Sequence, residues 1–267
     1  LAVMFLLACG GGSDSKQPNI EATVEARVNE QLISATVEAR VNAIQAKDVA
    51  MQHAQEGFEF AQSGDYQSTI ASYTKVIRLD PDSAGAYFNR GNAYSRLEQY
   101  DKVIKDSTKS IELNPASAHP YYLRGLAYTR LEQYDKAVDD FTKVIEVEPN
   151  FVDAYFNRGY AYGNLELYGK SIDDYTQYIL SNPDDVDAYV NRSWAYEKYA
   201  MFYVNRDSKT QLVEKMLKDS DKALEIDPNH SGAIKNREIW LEMLKLNPKQ
   251  RERNQKSEEA KPEVVIT

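Results

Sequence analysis

The sequence predicts an all-α protein, a solenoid of antiparallel helix pairs behind a helical stalk. Three observations predict it. Prolines stand at Pro81, Pro115, Pro149 and Pro183, each 34 residues after the last. Small residues keep step 24 positions earlier, at Gly57, Gly91, Gly125 and Gly159, with Ser193 in the following unit. Aromatic residues flank them: Tyr87, Tyr121, Tyr155 and Tyr189 four positions before, and Phe60, Tyr94, Tyr128, Tyr162 and Tyr196 three after. Residues at i, i+4 and i+7 share one face of a helix. The phrase AYFNRGNAY, Ala86 to Tyr94, even returns as AYFNRGYAY, Ala154 to Tyr162, with one letter changed.

Taken in order, the chain opens LAVMFLLACGGGSDS. The apolar run is far shorter than the roughly 20 residues that cross a bilayer as a helix, and fits the apolar core of a secretory signal. Leu6-Leu7-Ala8-Cys9 resembles the lipobox of bacterial lipoproteins, in which the cysteine is acylated and becomes the N-terminus. No Lys or Arg precedes the run and the first residue is Leu, which departs from that pattern. The resemblance implies a signal segment at 1–9, lipidation of Cys9, extracytoplasmic location and attachment to the membrane by a lipid anchor. Residues 10–18 then read as a flexible tether.

Residues 19–48 lack Gly and Pro and are rich in Ala, Glu and Arg, which predicts a helix. ATVEARV occurs at Ala22–Val28 and again at Ala35–Val41. Thirteen residues rotate a helix by about 220° beyond whole turns, so the copies put their valines on different sides. A coiled coil needs one continuous seam; a stalk that lifts the repeats from a membrane is the simpler expectation, and self-pairing the alternative.

Residues 50–248 carry the repeats. The glycine stands where a second helix approaches too closely for a side chain, and the proline stops that helix. A helix pair of this length cannot bury its apolar face alone, so neighbouring pairs stack. Small, aromatic and proline positions at a 34-residue period resemble the tetratricopeptide repeat. That resemblance implies about five repeats plus a capping helix, wound into a right-handed superhelix. The Tyr and Gly columns read as core.

Two charged columns accompany the scaffold. Arg90, Arg124, Arg158, Arg192 and Arg237 precede the small position, and Asp106, Asp140, Asp174 and Asp219 stand nine before the prolines. They predict a series of ion pairs between the two helices of each repeat. The fifth unit is longer: Pro228 follows Pro183 by 45 residues. Eleven residues make three helical turns, so the first helix is expected to run on to about Asn205 and the second to lengthen, packing Met201-Phe202-Tyr203-Val204; an exposed loop is the alternative. A last helix from Ser231 to Leu246 reads as a cap. Residues 249–267 are charged and read as a disordered tail, with Val264-Val265-Ile266 a candidate for pairing with a sheet edge.

Chemistry is sparse. His53, His119 and His230 lie in different repeats, and no nucleophile elbow, phosphate loop or zinc helix motif occurs. His53 occupies a packing slot. Asp184, Asp185 and Asp187 read as a helix start, where acids are favoured, rather than a cation loop. No enzyme, metal or cofactor is expected. The net charge of −9 without a basic cluster excludes a nucleic acid partner.

Binding of a protein or peptide remains. The tetratricopeptide resemblance implies a concave groove lined by the first helix of each pair. Here its columns carry Phe88 and Asn92, Tyr122 and Leu126, Phe156 and Tyr160, and Trp194, with Arg96 and Arg130 along one rim. The family's clamp for terminal carboxylates lacks its basic residues in this chain. An aromatic strip suits a peptide with apolar anchors, so the expectation is a membrane-anchored scaffold or adaptor. The alternative is a structural envelope subunit that self-associates, a homo-oligomer through its solenoid.

Overall fold

The computed structural model describes residues 20–203 and 206–245. The expectations for the signal segment and Cys9, the tether, and the tail with Val264–Ile266 lie outside them. All described elements are helices: α1 (Ile20–Ser63), α2 (Tyr66–Leu79), α3 (Ala84–Arg96), α4 (Tyr100–Leu113), α5 (Ala118–Arg130), α6 (Tyr134–Val147), α7 (Val152–Asn164), α8 (Tyr168–Ser181), α9 (Val186–Tyr203), α10 (Arg206–Ile226) and α11 (Ser231–Lys245). The chain divides into two compact units, one ending at Gln52 and the other starting at His53. In the first, the aliphatics Val24, Val28, Leu32, Ile33, Val37, Val41 and Ile44 are all exposed.

The second unit is a solenoid of antiparallel pairs: α3 packs on α4, α5 on α6, α7 on α8, α9 on α10, and each pair on the next. Local chemistry sets the boundaries. Asp65 caps α2 by accepting from the Ser68 N–H at 3.0 Å. Between the helices of a pair, Glu98, Glu132 and Glu166 take φ of 56°, 57° and 61°. This left-handed residue lets the N–H of Gln99 reach back to the Tyr94 carbonyl at 3.0 Å, and Gln133 to Tyr128 at 2.8 Å, closing the helix ends. Each second helix stops two residues before its proline.

The glycine column is not uniform. A Cβ on Gly125 would lie 2.8 Å from the Phe141 ring, and one on Gly57 2.9 Å from Tyr73. At Gly91 the facing residue is Ser107 and the nearest atoms are 3.5 Å away, an ordinary contact. The expectation that no side chain fits is therefore corrected for that repeat, where Leu123 fills the space instead. In the fifth repeat both members are serines, Ser193 and Ser220, and Trp240 of α11 comes in from the end. Its indole N–H donates to Ser193 Oγ at 3.1 Å and the ring is buried. The capping helix thus completes the last core.

The eleven extra residues lengthen both helices: α9 has 18 residues where α3 has 13, and α10 has 21 where α4 has 14. Their expected packing is corrected, because Met201, Phe202 and Tyr203 are 55–61% exposed. Phe202 is held only on one face, stacked on Tyr168 at 6.0 Å.

Candidate functional site

The expected ion pairs form, and they do more than join the two helices of a pair. Arg90, Arg124, Arg158 and Arg192 each grip Asp106, Asp140, Asp174 and Asp219 through two hydrogen bonds of 2.6–2.9 Å. The remaining nitrogen of each donates to a threonine of the preceding repeat, Thr74, Thr108, Thr142 or Thr176, at 2.9–3.1 Å. One guanidinium therefore ties three helices. The threonine column was readable from its 34-residue spacing, but a threonine on a helix carries no signal by type. Arg237 departs from the series: its partner is Asp221, on an exposed site.

The tyrosine surplus follows from the same arginines. Arg158 lies 5.7 Å from both Tyr155 and Tyr162, and Lys170 covers the other side of Tyr162 at 5.2 Å. Lys102 and Lys136 cover Tyr94 and Tyr128 likewise. These tyrosines are half-buried against cations, which corrects the reading of the whole column as core. Burial pushes the carboxyls of Asp140, Asp174 and Asp219 upward against the pull of their guanidiniums. The pairs thus fix register while desolvation offsets much of their attraction.

Other polar groups serve the scaffold. Asp185 accepts from the Ala188 N–H at 3.1 Å and from the Tyr178 hydroxyl at 2.7 Å, holding the start of α9. His230 caps α11 through Nδ1, which accepts from Ala233 N–H at 3.2 Å. His53 is half-buried and bonded to Glu56, not enclosed in the core as expected.

The nine groove residues separate into three groups. Asn92 and Arg96 are exposed and line a slot of about 210 Å³ between the end of α1 and α3, floored by Phe58, Tyr66 and Tyr73. Leu126, Arg130, Phe156 and Tyr160 line a second slot of about 330 Å³ between α5 and α7, with Glu132, Tyr134 and Asn157. Phe88, Tyr122 and Trp194 line neither, although Tyr122 bonds to Asn157 of the second. Phe88 meets His119 edge-on at 6.0 Å, and Tyr122 packs on Phe151 at 4.7 Å while its hydroxyl accepts from Asn157 at 3.1 Å. Trp194 is 37% exposed but seated, one ring atom 2.8 Å from where a Gly163 Cβ would be and edge-on to Tyr168 at 5.8 Å. Six of the nine residues expected in one aromatic strip thus line two slots. A third hollow was not foreseen: Met201, Val213, Met216, Ile239, Trp240 and Met243 line about 140 Å³ between α9, α10 and α11. Its residues come from the elongated repeat and the capping helix, where the 34-residue period is lost. Among the described residues no cluster of His, Cys, Asp or Glu could hold a metal ion, and no helix is long and apolar enough to cross a membrane.

Stacked two-helix repeats presenting an open row of first helices define an α-solenoid of the protein-interaction class. The comparisons name the repeat. Models described as TPR repeat and tetratricopeptide repeat match residues 57–98, 84–117, 118–151 and 141–173. Over residues 57–173 the repeats are tetratricopeptide repeats. Among solved structures, YrrB, described as a TPR protein with an unusual peptide-binding site, is similar with a TM-score of 0.61 and 23% identity, over 72% of this chain and 93% of its own. A MamA protein matches at 0.59 and 24% identity over 68% and 97%, and MamA from Desulfovibrio magneticus RS-1 at 0.60 and 17% over 69% and 98%. No curated protein sequence matches the chain.

Proposed function

We propose that this protein is a scaffold that holds a segment of another protein along the first helices of its repeats. The observation that carries the reading is the pair of open slots between those helices, each combining apolar floor, amide, phenol and guanidinium groups on a rigid backbone. Sites of that composition, concave and mostly apolar with a few fixed polar groups, suit side-chain anchors. The repeat family supports the reading, and so does the peptide-binding site of YrrB, a neighbour in fold.

The N-terminal sequence adds location to this proposal. Acylation of Cys9 would hold the chain on the outer face of a bacterial membrane, with 10–18 as tether and 19–48 as spacer. Mass spectrometry of the mature protein from membranes tests it: a diacylglyceryl Cys9 at the N-terminus is expected, and an unmodified Cys9 in the mature chain contradicts it.

A structural subunit that self-associates is the second reading, favoured by the exposed Met201, Phe202 and Tyr203. Light scattering decides it. A monomer at high concentration leaves the scaffold; a concentration-dependent oligomer abolished by Phe202→Glu favours the subunit.

A further inference from the structure

The two slots are one site written twice. Tyr66 and Asn89 of the first stand 68 residues before Tyr134 and Asn157 of the second, which occupy the same places around it. The intervening position between α3 and α5 is closed. Leu123 stands there in place of the asparagine, buried against Val103 with Tyr100 packed on it. The next position, between α7 and α9, is closed by Trp194 seated on Gly163 and Tyr168. The two open slots therefore stand two repeats apart.

The frames match but the fillings differ. Where the first slot has Asn92, the second has Tyr160. The first slot carries Arg96, with no carboxylate paired to it among the described residues, and holds no acid of its own. In the second, Glu132 balances Arg130, and Leu126, Phe156 and Tyr160 make the lining larger and more apolar. The first slot carries a net positive charge above an apolar floor; the second is formally neutral and lined by Leu126, Phe156 and Tyr160.

We propose that the groove reads a bipartite, extended polypeptide segment: an acidic side chain in the first slot and a large apolar side chain in the second, six residues apart. The proposal rests on the scaffold reading above. Neighbouring first helices touch, and packed helices lie about 8–10 Å apart, so two steps cover about 16–20 Å. An extended chain rises about 3.3 Å per residue, which makes five or six residues. Side chains alternate faces with period two, so both anchors point into the groove only at an even separation. Six meets both conditions.

The test uses fluorescein-labelled Ser/Gly peptides carrying one Glu and one Phe at separations of two to ten residues, in both orders, titrated with the full chain. Anisotropy should show a maximum at six in one order, at least about tenfold tighter than at three, because the second contact becomes intramolecular. Arg96→Glu should abolish the preference for Glu and transfer it to the matching Lys/Phe peptide, and Tyr160→Ala should remove the dependence on Phe. Both sites are exposed, and thermal melting verifies that the variants fold. Equal binding at all separations, or binding indifferent to Arg96→Glu, overturns the bipartite site and leaves the scaffold reading standing. Absence of binding by every peptide also overturns it, while capture of partners by a photoreactive group in the groove judges the scaffold separately.

Discussion

Arg124 grips Asp140 with two parallel hydrogen bonds, 2.8 Å from Nε and 2.7 Å from Nη2, and gives its third to Thr108 of the repeat before. Asp140 belongs to α6, Thr108 to α4 and Arg124 to α5. The contact is therefore the unit step of the solenoid, fixing both the angle within a pair and the stacking of one pair on the next. The same geometry at Arg90, Arg158 and Arg192 makes the superhelix regular.

Removing one partner strands a buried charge. Asp140→Ala should cost about 3 kcal/mol or more, and Thr108→Ala only about 1 kcal/mol, since it deletes one of three bonds from a still-paired guanidinium. Replacing Arg124 and Asp140 together by Met and Leu should cost much less than Asp140→Ala alone. Urea unfolding of the three variants checks the order.

The glycine column predicts opposite outcomes for one substitution. Gly91→Ala meets only ordinary contacts and should be neutral or stabilising by up to about 1 kcal/mol, from helix propensity. Gly125→Ala drives a methyl to 2.8 Å of Phe141, and overpacking should cost about 1–3 kcal/mol. Melting temperatures of the two variants should move in opposite directions.

Alkali should unfold the protein through its buried phenols. Burial, with Asp153 nearby, pushes the Tyr122 hydroxyl up to about 12 against the hydrogen bond from Asn157. Burial raises Tyr175 and Tyr178 further. These tyrosines are released on unfolding to ionise near pH 10. The folded pKa lies above the unfolded one, so their contribution is complete below pH 10 and is lost as pH rises toward the folded value. Absorbance at 295 nm should rise in two steps, the second coinciding with loss of helical circular dichroism.

The exposed groove rings should matter less to folding than the core. Tyr160→Ala should lower the melting temperature far less than Phe141→Ala, since Tyr160 is 43% exposed and Phe141 fully buried. Trp194→Ala should fall between them, because the ring fills the space over Gly163.

Much of this was legible because repetition turns weak signals into columns. A lone Arg before a glycine says little; four at a 34-residue spacing, with four aspartates on the second helices, specify the pairs that form. The same logic failed where a column is interrupted. Ser107 in place of an aromatic, and the serine pair filled by Trp240, depend on side chains arriving from neighbouring repeats, which spacing does not encode. Met201, Phe202 and Tyr203 were expected to pack because they are apolar. Their side chains stay largely exposed, with Phe202 stacked on Tyr168 and Tyr203 on Tyr199 of its own helix. The expected groove residues lie on first helices, but which slots stay open depends on the side chains that fill them, Leu123 in one repeat and Trp194 in another, a steric outcome invisible to a helical wheel.

The central claim is that partners are held along the first helices. A photoreactive phenylalanine at Tyr160, compared with the same group at exposed Lys143 on α6, tests it most directly in living cells. The account predicts discrete cross-linked proteins from position 160 and none from position 143. Adducts from position 143 alone, or none from position 160, would contradict it.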